Sequence, residues 1–196
     1  MTGASTLAGV RWGSITRHAD ERGSFRELWR AGAFGEVDPS DAGSPAGQPL
    51  RFTQSNLSIS ATGVLRGLHL HRRQLDHWVV AAGTAFIALV DVRPMFRGAS
   101  RPLVETRVAS PDTTVSIPIG VAHGFLALEP IDLIYFVTND YDGTDELGFA
   151  WNDPLAAVPW PEVATPDGRP VLSPRDQTNP SLSDLVARIG PWEPLP

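Results

Sequence analysis

The segment GVLRGLHLHRRQLDHW, residues 63–78, gathers side chains that could move a proton or hold an ion. It contains Arg66, His69, His71, Asp76 and His77, and three of the chain's five histidines fall within positions 69–77. A lone histidine on a strand is usually structural. Clustered histidines point to chemistry, because imidazole titrates near neutrality and serves as base, acid or ligand. On a strand, His69 and His71 face one side, and strict alternation sends Arg66 to the other unless Gly67 permits a bulge that re-aims it. In IPIGVAHGFLAL, residues 117–128, a Pro-x-Gly-x-x-His-Gly run sets a turn and then aims His123 from the start of a strand. The run LIYFVTNDY, residues 133–141, holds both tyrosines of the chain, Tyr135 and Tyr141, with equal strand parity if the strand extends that far. Taken alone, a tyrosine in such an apolar run reads as core with a satisfied hydroxyl.

The elements that must position these residues read as short strands broken by turns. In TQSNLSIS, residues 53–60, Gln54, Asn56 and Ser58 share one face, and Leu57 and Ile59 the other. WVVAA (78–82) and TAFIALVDV (84–92) flank Gly83 and predict a hairpin. VSIPI (115–119), FLAL (125–128), DLIYFVT (132–138) and GFAW (148–151) continue the series, a spacing typical of a sandwich, jelly roll or barrel. SLSDLVARI (181–189) predicts a helix, with Ser181 and Asp184 as its capping pair. DPSDAGSPAGQP (38–49) predicts a surface loop, and the Pro-rich stretch 154–180 reads either as an ordered wrap or as an extended tail.

Composition narrows the function. The chain has 196 residues, enough for one domain, and 42% hydrophobic residues, enough for a core. Its formal charge is −6, and all 16 basic residues are arginine. An acidic chain without basic runs is a poor partner for nucleic acid or an anionic membrane, while a small phosphorylated ligand needs only two or three placed arginines. With no cysteine, disulfides, thiolate metal sites and cysteine nucleophiles are excluded. The opening MTGASTLAGVRWG lacks the charge pattern of an export signal, and no apolar run reaches the roughly 18 residues of a membrane span, so a cytoplasmic location is expected.

Five motifs in order resemble the dTDP-4-keto-6-deoxyglucose (dTDP-4-dehydrorhamnose) 3,5-epimerase family of the cupin superfamily. They are DERGSFRE (20–27), QSNLS (54–58), GVLRGLH (63–69), IPIGVAHGF (117–125), and WNDP (151–154) with WP (160–161). The resemblance spans about Asp20 to Leu185. It implies an all-β, cupin-like double-stranded β-helix (jelly roll) with N-terminal strands and a short C-terminal helix. One domain over 1–196 is expected, with its core at about 20–165 and a C-terminal wrap and helix at 166–190. It implies a metal-independent isomerase of deoxysugar biosynthesis that inverts C3, and C5 as an open second carbon, of a dTDP-4-keto-6-deoxyhexose by taking a proton beside the ketone. His69 matches the base, Asp176 of LSPRD its orienting carboxylate, and Tyr135 the opposing acid. Arg66 matches a diphosphate ligand, Gln54, Asn56 and His123 the sugar end, and Tyr141 a second site tyrosine. Arg22, Phe25 and Glu27 match nucleotide-holding residues, often donated across a homodimer interface. No cofactor is implied.

The chain departs from the family at one place. The family carries a lysine shortly after the base that helps neutralise the developing enolate; here the stretch reads QLDHWVV, with Asp76 or His77 near that place. Arg72, Arg73 or His77 could substitute. The same departure creates a rival pattern. Gly63, His69, His71, Asp76 and Gly83, with His123, resemble a metal-binding cupin motif, and His69, His71, Asp76 and His123 would be the ligands of a metal-dependent enzyme. A non-catalytic sugar-nucleotide binding protein is the third reading.

Overall fold

A computed structural model describes residues 4–30, 51–163, 165 and 167–192. Twelve strands carry the fold among these residues: β1 (Arg11–Ser14), β2 (Arg17–Asp20), β3 (Gly23–Arg26), β4 (Gln54–Ser60), β5 (Leu65–Leu70), β6 (Asp76–Ala82), β7 (Ala85–Asp91), β8 (Leu103–Ala109), β9 (Thr113–Ile117), β10 (Val121–Ala127), β11 (Ile131–Val137) and β12 (Leu147–Gly148). Two helices follow, α1 (Pro174–Gln177) and α2 (Leu182–Ile189). The loop expected at 38–49 lies outside the described residues.

Two five-stranded antiparallel sheets face each other, in the orders β1-β9-β6-β11-β4 and β12-β5-β10-β7-β8. This is the all-β jelly roll of the cupins. The hairpin expected around Gly83 is not formed. β6 and β7 belong to different sheets, so the chain crosses from one layer to the other there. Gly83 makes the crossing possible: its φ is +75°, and a Cβ would lie 1.9 Å from the Pro130 carbonyl oxygen.

Apolar residues fill two layers. Trp78, Val80, Ile87, Leu89, Val115, Ile117, Phe125, Ile131 and Leu133 form the core between the sheets. Leu68, Leu70, Val90 and Phe149 form a second layer outside, covered by Leu182 and Leu185 of α2 and by Leu155, Val158 and Trp160. The described residues of the Pro-rich stretch therefore form an ordered wrap over the back of the β5 sheet. Asp153 anchors it, accepting from the backbone N–H of Leu155 (2.9 Å) and of Leu182 (2.8 Å), and Trp160 donates its indole N–H to the Trp151 carbonyl. The WNDP and WP residues thus have a structural task. α2 begins as predicted, with the Ser181 hydroxyl accepting from the Asp184 N–H.

β4 inverts the usual pattern. Its alternate residues Leu57 and Ile59 are 58% and 67% exposed, while the polar Gln54, Asn56 and Ser58 are the more buried set. Gln54, Asn56 and Ser58 line a cavity.

Candidate active site in the barrel mouth

That cavity has a volume of about 700 Å³ and opens between the two sheets. Gln54, Asn56, Arg66, His69, His71, Asp76, His123, Tyr135 and Tyr141 all line it.

The β5 sheet carries His69. Leu68 and Leu70 point into the outer core, and His69 between them points into the cavity. The register of β10 against β5 pairs His123 with His69 but Phe125 with Arg66, so β5 carries one extra residue. This is the bulge that Gly67 was expected to permit, and it brings Arg66 to the cavity side as well. Gly67 has φ +122°, and a Cβ on it would lie 2.7 Å from both the Gly124 Cα and the His123 carbonyl oxygen. The glycines of the Arg-Gly-Leu-His and His-Gly-Phe runs are therefore the point where the two strands touch.

His69 Nε2 lies 2.8 Å from Asp176 Oδ1. The carboxylate only accepts, so Nε2 carries the hydrogen and Nδ1 keeps its lone pair. Asp176 sits on α1, whose cap Ser173 accepts from the Asp176 N–H at 3.1 Å. Burial pushes the Asp176 pKa up, but the hydrogen bond and charge of His69, the Ser173 hydroxyl and the Gly67 N–H outweigh it and hold the carboxyl below its usual range. α1 went unseen in the sequence because four residues beside a proline carry no periodicity.

The facing sheet brings a tyrosine to the cavity. Tyr135 stands on β11 between Asn56 of β4 and Trp78 of β6. Burial, then the charge of Asp76, raises its pKa, so its hydroxyl keeps its proton. β11 ends at Val137, so the expected parity between Tyr135 and Tyr141 does not apply. Tyr141 is 70% exposed at the rim, and its N–H donates to Gln54 Oε1 at 2.9 Å. Gln54 in turn donates to Asn56 Oδ1 at 2.9 Å. Arg66 is held by Ser60, its Nε donating to Oγ at 3.0 Å.

His71, Asp76 and His123 form a buried group whose ligand-capable atoms all lie within 4.8 Å of one another. This group holds three of the four ligands drawn from the sequence; His69 is not in it, and its Nε2 lies 2.8 Å from Asp176. Desolvation lowers the His123 pKa to about 4, with Asp76 pulling it back up and His71 and His69 pushing it down.

None of the expected substitutes for the family lysine reaches the cavity lining. Arg72 lies over the Trp192 ring, and Arg73 pairs with Asp142 at 3.2 Å. His77 faces the other side of β6, against Phe52 and Phe136, with Nδ1 on Ser116 Oγ at 2.8 Å. The cavity instead gains Gln74, Trp78, Glu146 and Arg175, which sequence reasoning missed. Only Arg175 had a signal, its place beside Asp176. Arg22, Phe25 and Glu27 do not line this cavity. Arg22 and Phe25 lie on the β2–β3 hairpin, with Arg22 paired to Asp20, Phe25 69% exposed, and Glu27 just beyond it paired to Arg30.

Comparison with known proteins agrees with this geometry. The family model described as dTDP-4-dehydrorhamnose 3,5-epimerase matches residues 4–184. The chain is 33% identical over 171 residues to the dTDP-4-dehydrorhamnose 3,5-epimerase of Escherichia coli, covering 85% of this chain and 86% of that one. It is 33% identical over 171 residues to a dTDP-4-dehydrorhamnose 3-epimerase of Streptomyces niveus, covering 82% and 73%. A crystal structure of the Legionella pneumophila dTDP-6-deoxy-D-glucose-3,5-epimerase in complex with dTDP-4-keto-L-rhamnose superimposes with TM-score 0.78 at 29% identity, covering 96% of each chain. Facing sheets, a histidine–carboxylate pair at the barrel mouth and a match over nearly its whole length lead to one assignment: the chain belongs to the dTDP-4-dehydrorhamnose 3,5-epimerase family, whose enzymes are isomerases.

Proposed function

We propose that this chain inverts C3 of a dTDP-4-keto-6-deoxyhexose, in deoxysugar biosynthesis, with C5 as the second carbon its geometry leaves open. The observation that carries this reading is the His69–Asp176 pair at 2.8 Å, opening into a cavity that Tyr135 lines from the other sheet. A C–H beside a ketone is weakly acidic, and its removal needs a positioned base. Asp176 fixes the tautomer of His69, leaves Nδ1 as the basic nitrogen, and favours the imidazolium that forms. Inversion returns a proton to the opposite face, and Tyr135, kept protonated by its burial, is the donor. His69 abstracts the proton as a free imidazole, without a metal on its ring.

Arg66, anchored by Ser60, suits a diphosphate, because a guanidinium offers two parallel donors. Gln54, Asn56 and Tyr141 hold the sugar, and His123 lines the wall at the sugar end. Arg22, Phe25 and Glu27 serve the nucleotide of a second copy in a homodimer. This arrangement is supported by the exposed Phe25 and by the exposed Leu57 and Ile59 on β4, an edge strand of its sheet. Among the described residues no helix is long and apolar enough to cross a membrane.

The test is solvent exchange. The purified protein, given the 4-keto sugar nucleotide in deuterium oxide, should place deuterium at C3, and His69→Ala should abolish this. Wild-type protein that binds dTDP tightly but exchanges no carbon-bound hydrogen would instead be a binding protein.

A further inference from the structure

The cavity offers a keto oxygen little positive charge. Among the described residues its lining cations are Arg66, held by Ser60, and Arg175, whose Nη1 is paired with Glu146 at 2.7 Å. Beside them lies the buried group His71, Asp76 and His123, exposed by only 6%, 3% and 5%. Each comes from a different stretch: the residue after β5, the first residue of β6, and β10.

Hydrogen bonds behind this group fix its donor atoms. His71 Nδ1 lies 2.7 Å from the Asp145 carbonyl oxygen, and His123 Nδ1 lies 3.2 Å from that of Val121. A carbonyl oxygen can only accept, so both Nδ1 atoms carry the hydrogen and both Nε2 atoms present lone pairs. Asp76 is held from behind, with Gln74 Nε2 donating to Oδ1 at 2.7 Å and Trp78 Nε1 to Oδ2 at 3.1 Å. His123 Nε2 then faces Asp76 Oδ2 at 3.6 Å, lone pair toward lone pair. Such an arrangement repels itself until a proton or a metal ion lies between the atoms.

We propose that His71 Nε2, His123 Nε2 and an Asp76 carboxylate oxygen bind a divalent first-row transition-metal ion on the cavity wall. Two imidazole nitrogens and one carboxylate suit Fe, Co, Ni or Zn rather than Mg or Ca, which take oxygen ligands. The outer hydrogen bonds to Asp145, Val121, Gln74 and Trp78 are the orienting partners that metal-bound imidazole and carboxylate require. Metal bonds of about 2.1 Å set neighbouring ligand atoms about 3 to 3.4 Å apart, so closure asks about an ångström of movement from atoms now within 4.8 Å. Three protein ligands leave positions open toward the cavity, where the ion faces the oxygen that turns negative as His69 removes the proton. This role rests on the epimerase reading; the binding itself does not. His69 remains outside the ligand set, so base and ion are separate.

The experiment titrates the metal-stripped full chain with Co(II) alone, followed by visible d–d absorption and calorimetry. One Co(II) per chain with a micromolar or tighter Kd is expected, weakened at least a hundredfold in Asp76→Asn and in His71→Ala. His69→Ala should bind Co(II) as the wild type does while losing deuterium exchange. Stripping the wild type should slow exchange at least tenfold, and Co(II) should restore it. No binding by the folded wild type, or equal binding in the folded Asp76→Asn protein, overturns the site and means that a proton shared by His123 and Asp76 occupies the gap. Exchange indifferent to stripping overturns the ion's role at the ketone. A wild type that binds Co(II) yet exchanges no hydrogen sinks the epimerase reading alone.

Discussion

His69 and Asp176 are 107 positions apart in sequence and 2.8 Å apart in the fold, joined through Nε2 and Oδ1. The pair exists because the bulge at Gly67 turns β5 toward the cavity mouth while the C-terminal wrap carries α1 behind it. Removing the carboxylate's charge in Asp176→Asn leaves the imidazole without its fixed tautomer. The expected loss in kcat is on the order of a hundred- to ten-thousandfold, with dTDP affinity little changed. Steady-state kinetics with a parallel dTDP titration checks this, and a kcat within a factor of a few of wild type would refute the dyad.

Tyr135→Phe should separate exchange from inversion. His69 can still remove the C3 proton and return solvent deuterium to the same face, but no donor serves the other face. Product formation should fall about a hundredfold or more, while deuterium still enters the unreacted substrate. Proton NMR counts both events in one sample, and parallel loss of the two would mean that Tyr135 is not the acid.

Gly67→Ala tests whether the bulge is sterically required. The added methyl would lie 2.7 Å from backbone atoms of Gly124 and His123, at φ +122°. A destabilisation of about 2–4 kcal/mol is expected, since neither neighbour can give way as a flexible side chain would. Urea unfolding measures it, and an unchanged midpoint would show that β5 and β10 can part without cost.

His77 makes stability depend on pH. Burial lowers its folded-state pKa to about 4, below the ordinary 6.5. The unfolded chain therefore takes up a proton before the folded one does. Its contribution is complete above pH 6.5 and is lost as the pH falls toward 4. The full difference is about 3 kcal/mol, of which about 2 kcal/mol should disappear between pH 7 and pH 5. In His77→Leu that part of the slope should vanish, and urea unfolding at the two pH values is the measurement.

Arg22→Ala should raise KM about tenfold with kcat nearly constant, if a partner copy uses this exposed guanidinium for the nucleotide. An unchanged KM in protein shown by sedimentation to be dimeric would take Arg22 out of the site.

By itself the sequence determined the strand series, the capped helix after Ser181, and which side chains could act. It could do so because two-residue alternation, capping pairs and glycine-bearing turns are local consequences of backbone geometry. It also marked Gly67 as the place where a bulge would let Arg66 share a face with His69. The family resemblance matched Asp176 to His69; only the tertiary structure decided which atoms join them and which partners the other histidines take. His69 meets Asp176, His71 the Asp145 carbonyl and His123 Asp76, because those contacts depend on which sheet each strand joins and on where the C-terminal wrap returns. Nothing in the β6–β7 segment marks a crossing between sheets rather than a hairpin, since both need a turn at Gly83. The same limit hid Gln74, Glu146 and Arg175, and it left His77 as a candidate cation. A strand's parity says which residues share a face, but the packing of the whole barrel decides which face meets the cavity.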